Sequence, residues 1–239
     1  MKAFVSGIKR QMHRDICADP VLHGLVLNLY LNGEQYPHRV DDYFPPAEHV
    51  EHELALAMHS HMQDEDKHIR LYAKAVKKLG QTVLELPLDR VFNHVIRSHT
   101  SESFAIHASD DPDQQRWKLA NFFAHLHFLE TRVAQSLEFH LDACAQSPSD
   151  YPAKVVSIVL ADELRHASYT RDAVHTLLPH TKAHAVLAAH AKAETTANVE
   201  FSARELSRLV TENCDRFPGS RRWLYGLCAA FLAQVMSYA

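Results

Sequence analysis

Three features of this 239-residue chain predict an all-α fold. Glycine is scarce, with only six residues, and no Val/Ile/Thr-rich stretch alternates with the period of a strand. Apolar residues instead recur at steps of three and four along four long segments, as helices facing a common core require. Helix punctuation separates these segments: Asp-Pro and Pro-Pro pairs at the starts, Leu-Gly and Leu-Pro at the stops.

The first 15 residues, MKAFVSGIKRQMHRD, contain no apolar core of a secretory signal. Asp19-Pro20 reads as an N-cap followed by proline at the first helical position. The helix it opens is expected to run toward Val40, with a kink at Pro37. Pro45-Pro46 opens a second helix that stops at Leu79-Gly80, where glycine accepts the left-handed cap. Residues 81–111 form a connection holding a shorter helix, about 89–108. Asp111-Pro112 caps a third long helix reaching about Gln146, and residues 147–152 form a turn. A fourth long helix ends at Leu178-Pro179. Two more, about 181–214 and 220–237, flank Pro218-Gly219. No linker of domain-separating composition interrupts the chain. We therefore expect one domain over 1–239, with a four-helix core at about 20–178 and extra C-terminal helices at about 181–237.

The core-facing stripes carry ionisable groups. The first helix reads His23, Leu27, Tyr30, Glu34; the second Leu54, Met58, His61, Glu65, His68, Tyr72, Val76, Leu79. The third reads Ala120, Phe123, His127, Glu130, Ala134, Leu137, Leu141, and the fourth Val156, Val159, Glu163, His166, Thr170, Ala173, Leu177. Asp-Glu-x-x-His occurs twice, as Asp64-Glu65-Asp66-Lys67-His68 and Asp162-Glu163-Leu164-Arg165-His166. Residues three apart share a helix face, so each copy aims a carboxylate and an imidazole at one point. A buried, unpaired carboxylate costs several kcal/mol. Four carboxylates facing one core make physical sense when bound to cations, and two divalent ions neutralise their charge.

The bulk numbers set limits. A formal net charge of −4 argues against a nucleic-acid footprint. No apolar run approaches the roughly 18 residues of a membrane helix. The four cysteines form no Cys-x-x-Cys pair, so they read as free thiols of a cytoplasmic protein. Histidine, at 19 residues, is abundant enough that most must be surface or core residues.

At these residues the chain resembles the ferritin-like di-iron carboxylate superfamily, nearest the ribonucleotide-reductase small-subunit and bacterial multicomponent monooxygenase type. The resemblance covers about residues 20–178. It implies a ferritin-like four-helix bundle with additional flanking helices. The family pattern sets a single carboxylate some thirty residues before each Glu-x-x-His. Here Glu34 precedes Glu65 by 31 residues and Glu130 precedes Glu163 by 33. The implied metal ligands are Glu34, Glu65, His68, Glu130, Glu163 and His166. Asp41 or Asp42 could substitute for Glu34, and Glu138 for Glu130. By the same resemblance Asp162 orients His68 and Asp64 orients His166, fixing each imidazole tautomer. Tyr72, one turn after His68, stands where that branch carries a radical tyrosine, or is plain core. His61 and His127 are read as satisfied core histidines, pocket-lining groups or an added ligand. Val159 occupies the position of the extra histidine found in the N-oxygenase branch.

The resemblance implies an oxidoreductase holding two iron ions, with manganese as the alternative, and using O2 as co-substrate in monooxygenase or oxidase chemistry on a small or lipid-like organic molecule. Leu27, Tyr30, Phe123, Leu126, Val159 and Leu160 are read as ordinary core packing or as the lining of its pocket. No flavin, NAD or iron–sulfur motif is visible, so an external electron donor such as a ferredoxin or reductase is implied. A homodimer is left open. A ferroxidase or iron-binding role, and a tyrosyl-radical-generating role, are the alternatives.

Overall fold

The computed structural model describes residues 2–41, 43–100, 104–107, 109–145 and 150–237. Among them the chain is all-α. Its eight α-helices are α1 (Lys2–Ala18), α2 (Pro20–Glu34), α3 (His52–Lys78), α4 (Phe92–Ser98), α5 (Pro112–Cys144), α6 (Asp150–Leu177), α7 (His180–Glu212) and α8 (Gly219–Ser237). No helix among the described residues is long and apolar enough to cross a membrane.

The caps lie where the Asp-Pro pairs predict. Asp19 accepts from Val21 N (2.8 Å) and Leu22 N (3.2 Å), with Pro20 in the first turn of α2. Asp111 forms a capping box with Gln114 at the start of α5. Gly80, with φ +72°, ends α3 in the left-handed conformation. Three boundaries differ from expectation. Helix α2 stops at Glu34, and Pro37 lies in a separate 3-10 turn, Tyr36–His38, rather than in a kink. Helix α3 starts six residues after Pro46, at His52, because an intervening 3-10 turn, Ala47–His49, follows the prolines. The short helix of the connection is only Phe92–Ser98; Ala108, its expected end, lies outside the described residues. Gln146 and most of the turn expected at 147–152 also lie outside them, and α6 begins at Asp150. Helix α1 had no counterpart in the sequence reading, although Ile8, Met12 and Ile16 are spaced at four residues and pack with Leu22, Val26 and Tyr225.

Helices α2, α3, α5 and α6 surround one interior. Glu34 and Tyr30 of α2 meet His68 and Tyr72 of α3, which makes that pair antiparallel. His61 and His68 of α3 meet Tyr169 and Asp162 of α6, again antiparallel. Phe123 and His127 of α5 meet Tyr169 and Ala167 of α6, while Leu137 packs with Val155, Val156 and Val159. Helices α3 and α5 therefore run parallel, and the connection between them must return along the length of the core.

Two buried asparagines hold that return. Asn28 donates to Thr82 O (3.1 Å) and accepts from Leu84 N (2.8 Å); Asn32, one turn on, donates to Leu84 O (2.8 Å) and accepts from Leu86 N (2.8 Å). The amide of each asparagine mimics a strand edge, so residues 82–86 lie extended along α2. Gly24 permits the close approach where the segment begins, since a Cβ there would stand 2.5 Å from Gln81 Cγ. Helices α1, α4 and α7 cover the outside: α1 packs on α5 and α2, and α7 on α5, α4 and α8.

Replacing either asparagine by alanine strands backbone groups of the 82–86 segment. Asn32→Ala is expected to lower stability by about 2 kcal/mol, and Asn28→Ala by less because Leu84 is more exposed than Leu86. Urea midpoints should fall in that order; equal, negligible shifts would show that the segment is held by other contacts.

Candidate metal centre

The four seam carboxylates converge. Glu34, Glu65, Glu130 and Glu163 are each no more than 6 % exposed. His68 turns Nδ1 inward, 3.4 Å from Glu34 Oε2 and 3.4 Å from Glu163 Oε1. His166 likewise turns Nδ1 to Glu163 Oε2, at 3.3 Å. The two oxygens of Glu163 therefore serve the two histidines separately. Glu65 is shared as well: it belongs to one group with Glu34, His68 and Glu163, and to a second with His61 and His166. Donor atoms within each group lie inside 4.8 Å of one another. The arrangement is a doubled one around Glu65 and Glu163, with Glu34 on one flank; Glu130 belongs to neither group and meets the cluster through His61, 3.5 Å away.

The outward nitrogens meet the leading aspartates of the opposite motif. His68 Nε2 lies 3.1 Å from Asp162 Oδ2, and His166 Nε2 lies 3.4 Å from Asp64 Oδ2. An Nε2–H donated to a carboxylate leaves the inward Nδ1 lone pair free for a cation. The fourth motif positions, Lys67 and Arg165, close this pair into a ring. Lys67 Nζ lies 2.6 Å from both Asp64 Oδ1 and Asp162 Oδ2. Arg165 donates to Asp162 Oδ1 at 2.8 Å and pairs with Asp64. Against the effect of burial, Lys67 and Arg165 hold the Asp162 carboxyl well below the ordinary range, and Lys67 does the same for Asp64. Sequence reasoning missed this ring; its signal was the basic residue at the same place in both motif copies.

His61 joins the centre. Its Nε2 lies 3.0 Å from Glu65 Oε1 and 3.5 Å from Glu130 Oε1, its Nδ1 lies 2.9 Å from the Tyr169 hydroxyl, and its ring stacks on His166 at 3.7 Å. His127 does not: it is half-buried, and its Nδ1 donates to Ala167 O at 2.8 Å. Tyr72 is buried with its hydroxyl unpartnered, its ring 5.7 Å from Tyr30. Of the substitutes, Asp41 and Glu138 are exposed, and Asp42 lies outside the described residues. Val159 packs in the apolar core, as do Leu27, Phe123 and Leu126.

Without cations the cluster must hold protons. Burial, then the neighbouring Glu65, pushes the Glu34 carboxyl far above its usual value. Burial, then Glu163, pushes Glu130 up to about 8. His68 is raised to about 12, because Glu34 and Glu163 outweigh the burial that disfavours its charge. Glu65 falls to about 2 because hydrogen bonding and charge from His61 outweigh its burial. His166 is lowered to about 4 by burial and by His61, which keeps its imidazole neutral. The donor set of four carboxylates with inward imidazole nitrogens, and no thiolate, fits hard or borderline divalent cations that would take the place of those protons.

A cavity of about 190 Å³ leads to this cluster. All four glutamates line it, together with Met12, Tyr30, Phe92, Val133, Phe139 and Phe201, and the partly exposed Lys9 and Arg132. Of the residues read as possible pocket lining, Tyr30 lines this cavity; the remaining apolar wall comes from α2 and α5 (Leu29, Val133, Phe139) and, equally, from the flanking helices α1, α4 and α7 (Met12, Phe92, Phe201), whose placement is a matter of tertiary packing. Comparison of the chain with protein-family models, with curated proteins and with solved structures found no match.

The raised Glu130 value has a testable consequence for the metal-free protein. A carboxyl shifted upward by folding stabilises the fold fully below its ordinary value of 4.5, and that contribution is lost as pH rises through about 8. Glu130→Gln imitates the protonated carboxyl and lacks the loss. In chelator, the variant's stability advantage should therefore grow between pH 5 and pH 8, at about 1.4 kcal/mol per unit at most, and then level off. Urea unfolding across that range measures it; a pH-independent difference would contradict the assignment.

Proposed function

We propose that this chain is an oxygen-activating, non-haem di-iron enzyme of ferritin-like four-helix architecture. The observation that carries the reading is the sharing of Glu163 between His68 Nδ1 (3.4 Å) and His166 Nδ1 (3.3 Å), since one buried carboxylate serving two imidazoles is the arrangement of a bridging ligand between two cations. Glu65 would be the second shared ligand, Glu34 and His68 would hold one ion, and His166 with Glu130 would hold the other. A bound iron pair would supply the electrons that reduce O2 and the oxidising power delivered to an organic substrate.

The chain's own residues have separable tasks. Asp162 and Asp64 keep His68 and His166 in the tautomer that presents Nδ1 inward. Lys67 and Arg165 keep those aspartates ionised, so the tautomer is not lost to a proton on the carboxylate. His61 holds a proton between Glu65 and Glu130, with the Tyr169 hydroxyl on its other nitrogen, and can move it to either carboxylate as the charge of the centre changes. The aromatic and aliphatic cavity wall excludes water and favours a small or lipid-like substrate, with Lys9 at its edge and Arg132 held there by Glu194. Electrons come from an external donor, a ferredoxin or reductase, in this reading.

Wild-type protein prepared with ferrous iron is expected to hold two irons per chain. Glu65→Ala and Glu163→Ala should each lose at least one, because each removes a shared ligand. Unchanged iron in both variants would sink the proposal. Repeated cycles of Fe(II) and O2 that load many irons per chain would instead favour iron storage.

A further inference from the structure

A second group of metal donors lies apart from the carboxylates. Cys17 at the end of α1, His23 in the first turn of α2, and His140 and Cys144 on α5 bring one sulfur or nitrogen each to within 4.8 Å of all the others. All four are buried, the histidines fully. His140 and Cys144 are one helical turn apart and share a face. Cys17 and His23 straddle the short turn that Asp19 caps. Ala143 and Ala153 pack against the two thiols, and a further buried imidazole, His13, lies with its ring 5.8 Å from that of His140.

Ordinary core packing accounts poorly for this group. His23 Nε2 and His140 Nε2 face each other at 2.9 Å, and His23 Nδ1 is buried without a partner. Two imidazoles and two thiols in a dry patch lose their hydration, and the hydrogen bonds among them return only part of it. A tetrahedral ion with bonds of about 2.0–2.3 Å sets its donors about 3.3–3.8 Å apart, so the two Nε2 atoms, now 2.9 Å apart, part by a few tenths of an ångström and donors as far apart as 4.8 Å draw in by about 1 Å to hold one. Two thiolates neutralise a divalent ion, and two neutral imidazoles complete the shell.

We propose that Cys17, His23, His140 and Cys144 form a second metal site, a closed S2N2 site for Zn(II) that fastens α1 to α2 and α5. Softness separates the two centres: thiolates select zinc at this site, and carboxylates suit iron at the other. His140 Nδ1 lies 3.3 Å from the Tyr30 hydroxyl, which provides the outer hydrogen bond that orients a ligating imidazole. With all four positions filled by protein, the site holds no place for substrate, and its role is structural.

Cobalt(II) tests this on the full chain, reduced and metal-free. One equivalent should develop a sulfur-to-cobalt charge-transfer band and tetrahedral visible bands, and one equivalent of Zn(II) should abolish both. The carboxylate centre has no thiolate and contributes no such band. Glu65→Ala and Glu163→Ala should therefore keep it, while Cys17→Ser/Cys144→Ser should lose it and still load the carboxylate centre. Should the double variant fail to fold, zinc-edge X-ray absorption of the wild type reads the same ligands, with two Zn–S distances of about 2.3 Å and two Zn–N of about 2.0 Å. Absence of the band from reduced wild type, or a zinc shell without sulfur, overturns the proposal. So does a Cys17–Cys144 disulfide in protein that takes no cobalt after reduction.

Discussion

Four glutamates share one interior, and most of the structure can be understood as a response to that. Their mutual repulsion and lost hydration would exclude them from any ordinary core. The chain meets this with inward imidazoles, with His61 placed between Glu65 and Glu130, and with protons on Glu34 and Glu130 when no cation is bound. Outside this layer stands a second one of opposite design. Asp64, Lys67, Asp162 and Arg165 are ionised and mutually paired, from the buried Asp162 to the exposed Arg165, and the two aspartates hold the histidines from behind. Exposed ion pairs contribute little to stability. Their value here is orientation, because a histidine with a fixed outward proton has a fixed inward lone pair.

This convergence requires α3 and α5 to run in the same direction, and that is a topological demand rather than a local one. It is met by the 82–86 segment, which carries the chain back along α2 under the side chains of Asn28 and Asn32. The same helix thus supplies Glu34 to the centre and, on another face, the two amides that set the topology around it. Gly24 and Gly80 mark the points where the backbone must come close or turn sharply, and few of the six glycines are needed for more.

Much of the centre was legible because it obeys helical periodicity. Three- and four-residue spacing placed Glu65, His68, Glu163 and His166 on inward faces, and the doubled motif implied that the two pairs meet. Glu34 and Glu130 followed from their seams, although the break at Pro37 obscured how far α2 extends. What depends on contacts between helices was not legible. Nothing in the spacing of His61 and His127 told them apart, yet one stacks on His166 and the other turns to a backbone carbonyl. The cavity wall was out of reach for the same reason: Leu27, Phe123 and Val159 pack into the core, the alternative their stripes carried, while Met12, Phe92 and Phe201 arrive from flanking helices. The cysteines gave no signal either, since Cys17 and Cys144 are 127 positions apart and neither belongs to a local pair.

Helix α1 connects these omissions. Its Met12 and His13 line the cavity that reaches the glutamates, and one turn further on its Cys17 enters the cluster with His23, His140 and Cys144. Its apolar face alone is a modest anchor, because Ile8, Met12 and Ile16 share their contacts with α7 and α8 rather than with the four inner helices alone. A cation held by Cys17 would fix the end of α1 at a defined height against α2 and α5, and with it the cavity wall one turn away. Tyr30 stands between the two clusters, its hydroxyl at His140 and its ring against Tyr72, and it lines the cavity as well. The position of Tyr30 therefore depends on His140, so occupancy of the sulfur-containing site would shape the cavity in front of the glutamates without contributing any group to the chemistry there.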